Sequence, residues 1–387
     1  MSFPVDADFV RETLIRLVQT NSVNPILDPE SPGEGEVARM IADTLDAMGL
    51  EIETPEPEPG RVSVLGTMRG AGGGKSLMLN AHLDTVGVEG MRDPFSGTLE
   101  NGRVYGRGSF DMKGAMAACL GAVKALVDGG VSLAGDVVFA GVADEEYSSI
   151  GTSDAIGRCR VDGAIVTEPT HLGLCLAHKG YVWLKVTTEG RAAHGSRFEE
   201  GVDANLRMGR VLSQLEGLEK TLRMGPPHPL VGPPSLHAAL LSGGTGVSTY
   251  AASSELHIER RTIPGETPDQ VLQEIQEILD RLQAEDASFK ATVESYFARD
   301  PFEVGPDAEI VRAVEWGAER VLGRVPQHMG DTPWMDAALL AAAGIETVVI
   351  GPGGAGAHAA EEWVDLDSVV QLAGVLAAAA VEYCGIA

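Results

Sequence analysis

Lysine and arginine are scarce in this chain relative to aspartate and glutamate. The 387 residues include 29 basic and 56 acidic side chains, which give a formal net charge of -27 and a pI near 4.6. Nucleic acids and anionic membranes bind through clustered basic side chains, so this composition argues against both as partners. We expect most of the acidic excess to form a solvated surface.

The sequence also lacks paired cysteines and long apolar runs. Its four cysteines are scattered without a CxxC pair, which indicates reduced, buried thiols, as expected in the cytoplasm: Cys119, Cys159, Cys175 and Cys384. The N-terminal segment MSFPVDADFVRETL carries acids early and has no apolar region of the kind found in secretory signals. No uninterrupted run of about 18 apolar residues is present to span a bilayer. We therefore expect a soluble protein of the cytoplasm.

The pattern of apolar residues predicts two domains. The chain is long enough for two substantial cores. Strand-like runs alternate with helical segments towards both ends of the chain, which favours an α/β fold with a mixed sheet flanked by helices. Between them, the alternating strand GYVWLKVTTEG opens a stretch of strand–helix–strand–helix character. We expect a catalytic domain formed by residues 1–177 and 294–387 and interrupted by a smaller α+β domain at residues 178–293.

Histidines and carboxylates follow several of the buried strand-like runs. They are His82 and Asp84 in LMLNAHLD, Asp111 in GRGSFDMKG, Glu145 and Glu146 after VVFAGVAD, Glu168 in GAIVTEP, and His358 after VVIGPGGAGA. Polar residues at the ends of buried strands indicate a site at one edge of a sheet. Imidazole and carboxylate groups in this number suit two borderline divalent metals, such as zinc, held close together. The pattern indicates a metal-dependent hydrolase.

Each part of this pattern is weak by itself. A single histidine at a strand end is more often a hydrogen-bonded structural residue, and pairs of acids are common where helices begin. In the triplet HLD at 82–84 the two polar side chains share one strand face, so Asp84 can orient the imidazole of His82. The sequence GKS at 74–76 is similar to the end of a phosphate-binding loop. However, the first glycine of that motif would fall at Arg69 and a strand follows, so we reject a nucleotide site.

Taken together, the motifs resemble those of the M20 family of metallopeptidases and amidohydrolases. The stretches that carry the resemblance stand in family order between residues 78 and 358: NAHLDTV, YGRGSFDMKG, DEEYSSIGT, VTEPT, AHKG, GRAAHGS, ELHIERRTIPGET and GIETVVIGPGGAGAH. The family includes acetylornithine deacetylase, succinyl-diaminopimelate desuccinylase, aminoacylase and glutamate carboxypeptidase.

The resemblance implies a role for each residue of the site. It places one divalent metal on His82 and Glu168 and a second on Glu146 and His358, with Asp111 bridging the two. Zinc is the expected metal, with cobalt as an alternative. Glu145 would be the general base that takes a proton from a metal-bridging water, which then attacks an amide carbonyl.

The resemblance also assigns His194, in GRAAHGS, to catalysis. In the family the matching histidine reaches the active site of a partner subunit and stabilises the oxyanion. A homodimer formed through the inserted domain, which would also act as a lid, is therefore expected. The alternative is a surface histidine at a strand end.

Three further positions are expected to contact the substrate. Arg261 matches the family arginine that binds the substrate carboxylate, a task for which the planar guanidinium is suited. Arg260 lies on the opposite strand face and is expected to be solvated. Ser248 stands where the family usually has an asparagine that faces the substrate. The glycine-rich turn from Gly351 to Gly356, which includes Gly353, would bring backbone amides towards the same ligand, unless it is only a tight turn.

The expected activity is hydrolysis of the amide of an N-acyl amino acid with a free carboxylate, in the manner of acetylornithine deacetylase. A carboxypeptidase or dipeptidase, or a desuccinylase, would use the same site and differ on the acyl side. A cyclic or non-peptide amide is a further possible substrate, because Ser248 departs from the family. A non-catalytic peptide-binding member is disfavoured, because all five predicted ligands and Glu145 are present.

Overall fold

A computed structural model describes residues 4–387 of the chain. The N-terminal segment considered above begins at residue 1, and its first three residues lie outside the described residues. The chain forms two compact units, and each is described by itself. The larger unit consists of the chain up to Leu176 together with Val304–Met329 and Met335–Ala387. The smaller unit consists of Ala177–Glu303 and Gly330–Trp334.

The larger unit is built on a mixed sheet. Its helices are α1 (Ala7–Gln19), α2 (Gly35–Ala47), α3 (Gly114–Asp128), α4 (Ile150–Arg158), α7 (Glu309–Leu322), α8 (Ala337–Ala342) and α9 (Leu366–Cys384). Its strands are β1 (Glu51–Glu53), β2 (Val64–Met68), β3 (Leu77–His82), β4 (Thr98–Glu100), β5 (Arg103–Tyr105), β6 (Val137–Val142), β7 (Gly163–Val166), β15 (Glu346–Val349), β16 (Gly354–Ala355) and β17 (Trp363–Asp365). Strands β8 (Leu174–His178) and β14 (His328–Asp331) begin in this unit.

The main sheet has the strand order β1-β2-β6-β3-β7-β15-β8. Strands β6, β3, β7 and β15 are parallel to their neighbours within this group, whereas β1 and β2 pair antiparallel. Every residue of β3, β6 and β7 is buried, so both faces of these strands are covered, as is usual for parallel strands. The mixed sheet and its helices confirm the predicted fold class.

The flanking helices follow from the spacing of their apolar residues. In α1, Val10, Leu14 and Leu17 are buried on one face. The side chain of Asp6 accepts a hydrogen bond from the Phe9 amide and caps the first turn. By length and composition α9 could cross a membrane, but 72% of its apolar window is buried inside the protein. It packs against α3 and α7, which is the environment of a core helix.

The smaller unit is a four-stranded antiparallel sheet packed against two helices. Its elements are β9 (Gly180–Glu189), α5 (Ala204–Met224), β10 (Ser235–Gly243), β11 (Ser253–Thr262), α6 (Pro268–Glu285), β12 (Ala291–Arg299) and β13 (Phe302–Glu303). The strand order is β10-β11-β9-β12. Alternate residues of β9 and β11 are buried, and they form one core with the apolar sides of both helices.

Two features of this unit differ from the sequence interpretation. The unit extends to Glu303, beyond the expected bound at residue 293, and β12 pairs with β9 across that bound. The expectation of a solvated Arg260 is wrong, because this side chain is fully buried. Its guanidinium lies 2.6 Å from Glu266 and 3.3 Å from Glu274 of α6. The acids on the helical side neutralise the charge that β11 directs into the core.

Candidate metal centre

Three parallel strands bring four of the predicted site residues to one edge of the main sheet. Strand β3 ends at His82, β6 ends just before Glu145 and Glu146, and β7 ends just before Glu168. Because β6, β3 and β7 are adjacent and parallel, their carboxyl ends meet.

Asp111 and His358 reach this edge from irregular segments. Asp111 lies in the turn Ser109–Lys113, where its own φ and ψ are not helical, directly before α3. His358 follows the glycine-rich loop and has a φ of 60°, in the left-handed region that is uncommon for non-glycine residues. A Cβ on Gly351 would lie 2.0 Å from the carbonyl oxygen of Glu168. Glycine therefore lets the loop pass close to the end of β7.

The carboxylate of Asp111 lies between the two histidines. Its Oδ1 is 3.1 Å from His82 Nε2, and its Oδ2 is 3.3 Å from His358 Nε2. Glu168 Oε1 lies 3.6 Å from His82 Nε2, and Glu146 Oε2 lies 3.1 Å from His358 Nε2. The five side chains thus fall into the two groups that the resemblance implies, with Asp111 shared. Their assignment as metal ligands stays a prediction.

The donor set fits a pair of divalent cations. The potential ligand atoms of His82, Glu145 and Glu168 lie within 4.8 Å of one another, and so do those of His82, Asp111 and Glu146. Oε1 of Glu146 is buried and has no hydrogen-bond partner within residues 4–387. Buried carboxylates require a compensating charge or a metal. Two divalent ions would balance the four carboxylates, and imidazole and carboxylate groups are suitable ligands.

Crowding of charge shifts the pKa values in the cluster. Burial raises the pKa of Glu145 and that of Glu168 well above the ordinary value, and neighbouring carboxylates add to the rise. Hydrogen bonds to Asp111 and Glu146 raise the pKa of His358 to about 10. Burial opposes ionisation of Asp111, but hydrogen bonds from the histidines outweigh it and hold that pKa below its usual range. A carboxyl with a raised pKa beside the donor set is suited to accept and return a proton.

Asp84 holds the turn of the acid pair and does not hold the His82 ring through its carboxylate. Its Oδ1 accepts a hydrogen bond from the Glu145 amide at 3.1 Å, and its Oδ2 accepts one from the Glu146 amide at 3.2 Å. His82 Nδ1 lies 2.8 Å from the backbone carbonyl oxygen of Asp84, whereas the nearer carboxylate oxygen is 3.7 Å away. The orienting contact predicted for the Asp84 side chain is therefore made by its backbone.

A buried polar network that the sequence does not predict lies behind this turn. Asn24 Nδ2 donates to Asp84 Oδ2 at 2.7 Å and to Asp144 Oδ1 at 3.0 Å. Arg61 Nη1 lies 2.8 Å from the same oxygen of Asp144, and its guanidinium also pairs with the buried Glu34. No signal in the sequence distinguishes these residues from polar surface residues, because the partners are up to 120 positions apart.

In the smaller unit, His194 and Ser248 lie in neighbouring segments. The Gly195 amide donates to the Ser248 carbonyl at 2.7 Å, and His194 forms a bridge with Thr249. His194 is exposed, and its Nδ1 lies 2.8 Å from the hydroxyl of Ser196. The catalytic and substrate-binding roles of the two residues stay predictions.

Arg261 lines a cavity of the smaller unit. This cavity of about 440 Å³ is lined by Lys179, Ser235, Arg261, Thr332 and Pro333. The guanidinium carbon of Arg261 lies 5.0 Å from the ring centroid of Tyr181, and its Nε donates to Glu259 at 2.7 Å. A concave surface with a lysine and an arginine favours an anionic group, and the carboxylate contact of Arg261 stays a prediction.

Gly353 has its amide already engaged. Its N–H donates to the hydroxyl of Ser368 at 2.8 Å, and its carbonyl accepts a hydrogen bond from the Asp365 amide at 2.8 Å. The loop here is fixed to the start of α9, and the contact between backbone amides of this glycine-rich turn and a substrate stays a prediction.

Comparison with known proteins agrees with the geometry. The profile of Peptidase family M20/M25/M40 matches residues 78–382. Acetylornithine deacetylase of Myxococcus xanthus is 29% identical, with 97% of this chain and 98% of that protein covered. N-formyl-4-amino-5-aminomethyl-2-methylpyrimidine deformylase of Halalkalibacterium halodurans is 27% identical, with 97% and 95% covered.

A solved structure shares the fold. The crystal structure of the Bacillus subtilis YXEP protein, described as a dinuclear metal-binding peptidase, has a TM-score of 0.74 at 16% identity and covers 97% of this chain and 99% of that chain. The chain therefore belongs to peptidase family M20/M25/M40, whose members are hydrolases that act on C–N bonds.

Proposed function

We propose that the chain is a dinuclear metal-dependent amidohydrolase that cleaves the amide of an N-acyl amino acid with a free carboxylate, in the manner of acetylornithine deacetylase. The observation that carries the proposal is the carboxylate of Asp111 between His82 and His358, with Glu145 in the same cluster. The similarity to acetylornithine deacetylase over nearly the whole chain supports the substrate class. The cavity at Arg261 supports a carboxylate on the substrate. Zinc is the proposed metal, with cobalt as the alternative.

The residues of the cluster have different proposed roles, as metal ligands or as the general base. His82, Asp111 and Glu168 would hold one ion, and His358, Asp111 and Glu146 the other. Bound divalent metals lower the pKa of water and polarise a carbonyl. Glu145, whose pKa is raised by burial, would accept the proton of the attacking water and deliver it to the leaving amine. The hydrogen bonds from the Glu145 and Glu146 amides to Asp84 hold this base in place.

We also propose that the smaller unit acts as a lid and forms a homodimer. Strand β10 lies at the edge of its sheet and exposes Leu240 and Leu241, which are 67% and 57% accessible. Leu206 on α5 is 73% accessible. An exposed strand edge beside apolar side chains favours pairing with a second copy. His194, exposed on the same unit, would then serve the active site of the partner as an oxyanion donor.

Other substrates remain compatible with the same centre. A carboxypeptidase or dipeptidase, or a succinyl-diaminopimelate desuccinylase, would differ in the pocket on the acyl side. The deformylase relative acts on an N-formyl aminopyrimidine, and Ser248 in place of the family asparagine makes such an amide worth testing.

Cys119, Cys159 and Cys384 carry free thiols, which agrees with the proposed cytoplasmic location.

Amine release from a panel of amides tests the activity. The panel contains N-acetylornithine, other N-acetyl amino acids, succinyl-diaminopimelate, C-terminal glutamate dipeptides and an N-formyl aminopyrimidine. Protein reconstituted with zinc or cobalt is compared with a chelated sample. Chelator-sensitive turnover of N-acetylornithine is expected. Turnover of another member alone would replace the proposed substrate, and silence across the panel with metal bound would overturn the hydrolase proposal.

Two adjacent glutamates provide a matched pair for the mechanism. Glu145→Gln should retain both metal ions and lose most of its turnover, because a carboxamide cannot accept the proton. Glu146→Gln should lose metal, because it removes a predicted ligand. Metal content by elemental analysis and turnover are measured on both. Full activity in Glu145→Gln would remove the general-base assignment.

A further inference from the structure

Glu362 is a buried acid that the proposed mechanism does not use. It is 1% exposed, and Arg107, its ionic partner at 2.6 Å, is 3% exposed. Oε2 accepts hydrogen bonds from Arg107 and, at 3.0 Å, from the Gly108 amide. Oε1 accepts hydrogen bonds from the Phe110 and Asp111 amides, both at 3.0 Å. One carboxylate thus receives four donors, and one of them is the backbone of the predicted bridging ligand.

Arg107 connects the same carboxylate to two main-chain carbonyls. Its Nη2 donates to the carbonyl of Ala359 at 3.1 Å, and Ala359 directly follows His358. Its Nε donates to the carbonyl of Gly87 at 2.9 Å, in the loop that follows β3. The guanidinium fork therefore joins three chain segments at fixed angles, which a lysine ammonium cannot do.

We propose that Glu362 and Arg107 are positioning residues that set the spacing between Asp111 and His358 and so determine how the two metal ions are bound. This inference rests on the proposed function. The carboxylate fixes the main chain at Asp111, and the guanidinium fixes the main chain next to His358. Neither side chain contributes a donor atom to the groups of candidate metal ligands.

The contacts have the properties that positioning requires. Both side chains are buried, so their hydrogen bonds do not compete with water. The negative charge of Glu362 is paired with the positive charge of Arg107, which lowers the cost of burying it. All four donors to the carboxylate come from residues 107–111. These four donors lie more than 250 positions before Glu362 in the chain, and the nearest of them, the Asp111 amide, is 251 positions away.

The neighbouring residue offers a matched control. Glu361 and Glu362 are adjacent glutamates, but Glu361 is exposed and Glu362 is buried. Glu362→Gln removes the charge and puts an NH2 group where two donors already point, whereas Glu361→Gln makes the same chemical change at the surface. Circular dichroism and thermal melting establish that each variant is folded.

The test measures the binding of Co²⁺ alone to chelator-stripped full-length protein. Titration gives the stoichiometry and dissociation constants, and the visible absorption of bound cobalt reports its coordination. Groups that orient metal ligands typically contribute a factor of about 10–100 to metal affinity. We expect Glu362→Gln to weaken cobalt binding by about that factor and to change the cobalt spectrum, while Glu361→Gln matches the wild type.

A second variant covers the case in which Glu362→Gln does not fold. Arg107→Lys retains a positive charge beside Glu362 but cannot hold the carboxylate, Gly87 and Ala359 together. It should weaken cobalt binding by about 10-fold and alter the spectrum. Wild-type cobalt affinity and spectrum in either folded variant would overturn the positioning role and leave the proposed hydrolase intact. Wild-type protein that binds no cobalt or zinc would overturn the proposed metal centre and the positioning role with it.

Discussion

Replacement of Asp84 by asparagine tests which part of this residue supports the site. The Asp84 side chain is 1% exposed, and its two oxygens accept hydrogen bonds from the Glu145 amide, the Glu146 amide and Asn24. An asparagine has one acceptor oxygen and one NH2 group. If that oxygen replaces Oδ2, it retains the bonds from Glu146 and Asn24, and the NH2 group then faces the N–H of Glu145.

The expected loss of stability follows from the number of hydrogen bonds that the Asp84 carboxylate accepts. At least one hydrogen bond to a charged acceptor is lost, and such a bond contributes about 1.5–3 kcal/mol. The retained bonds weaken because a neutral oxygen is a poorer acceptor, while the amide is less costly to bury than the carboxylate. We expect the free energy of unfolding to fall by about 2–3 kcal/mol. The contact from His82 to the backbone carbonyl of Asp84 is unaffected.

Urea denaturation of chelated protein measures the effect. Asp162→Asn is the control, because this exposed carboxylate also accepts two hydrogen bonds, from the amide and the hydroxyl of Ser76. The control should lose less than about 1 kcal/mol, since water can replace the lost partner. Equal decreases in the free energy of unfolding of the two variants would refute the argument that the buried, charged carboxylate of Asp84 holds the turn.

Three further predictions concern catalysis, thiols and pH. His194→Ala should lower kcat by about 10²–10³ without changing metal content, as expected for an oxyanion contact; a normal kcat would remove His194 from the catalytic set. Iodoacetamide at pH 8 should label Cys159, which is partly exposed, before Cys119, which is buried and whose pKa burial raises to about 12. Mass spectrometry locates the label, and equal rates would contradict the burial. Chelated protein should become less stable as the pH rises from about 6 to 9, because burial raises the folded-state pKa of Glu145 and hydrogen bonds raise that of His358 to about 10. In that window these two groups bind more protons in the folded chain than in the unfolded chain, and the folded chain releases them as the pH rises. A melting temperature higher at pH 9 than at pH 6 would therefore refute the raised pKa values of Glu145 and His358.

The residues that the sequence locates well are those whose position follows from strand periodicity. His82 and Glu168 stand at or directly after buried apolar runs, and such runs form the parallel strands whose ends meet. The alternation in β9 likewise identifies its buried face. These features are local, so the order of residues along the chain is enough to find them.

The features that the sequence does not predict depend on distant partners. Arg260 alternates correctly in β11, but its buried position is acceptable only because Glu266 and Glu274 lie beside it. Asp84 has the spacing to orient His82, yet the turn at Glu145 uses both of its carboxylate oxygens. The extent of the smaller unit depends on the pairing of β12 with β9. In each case a competing contact from another part of the chain decides the role.

The pair Glu145 and Glu146 shows how one strand end supplies two functions. Asp84 accepts hydrogen bonds from both amides, from positions 61 and 62 residues away in the chain, and these bonds fix the main chain of the turn that carries both side chains. The carboxylates of both glutamates lie near His82, and that of Glu146 also lies 3.1 Å from His358. A change at Asp84 should therefore disturb the proposed base and a proposed ligand together, whereas a change at Glu145 should disturb only the base. Loss of both metal binding and turnover in Asp84→Asn, beside loss of turnover alone in Glu145→Gln, is the pattern that this division of roles requires.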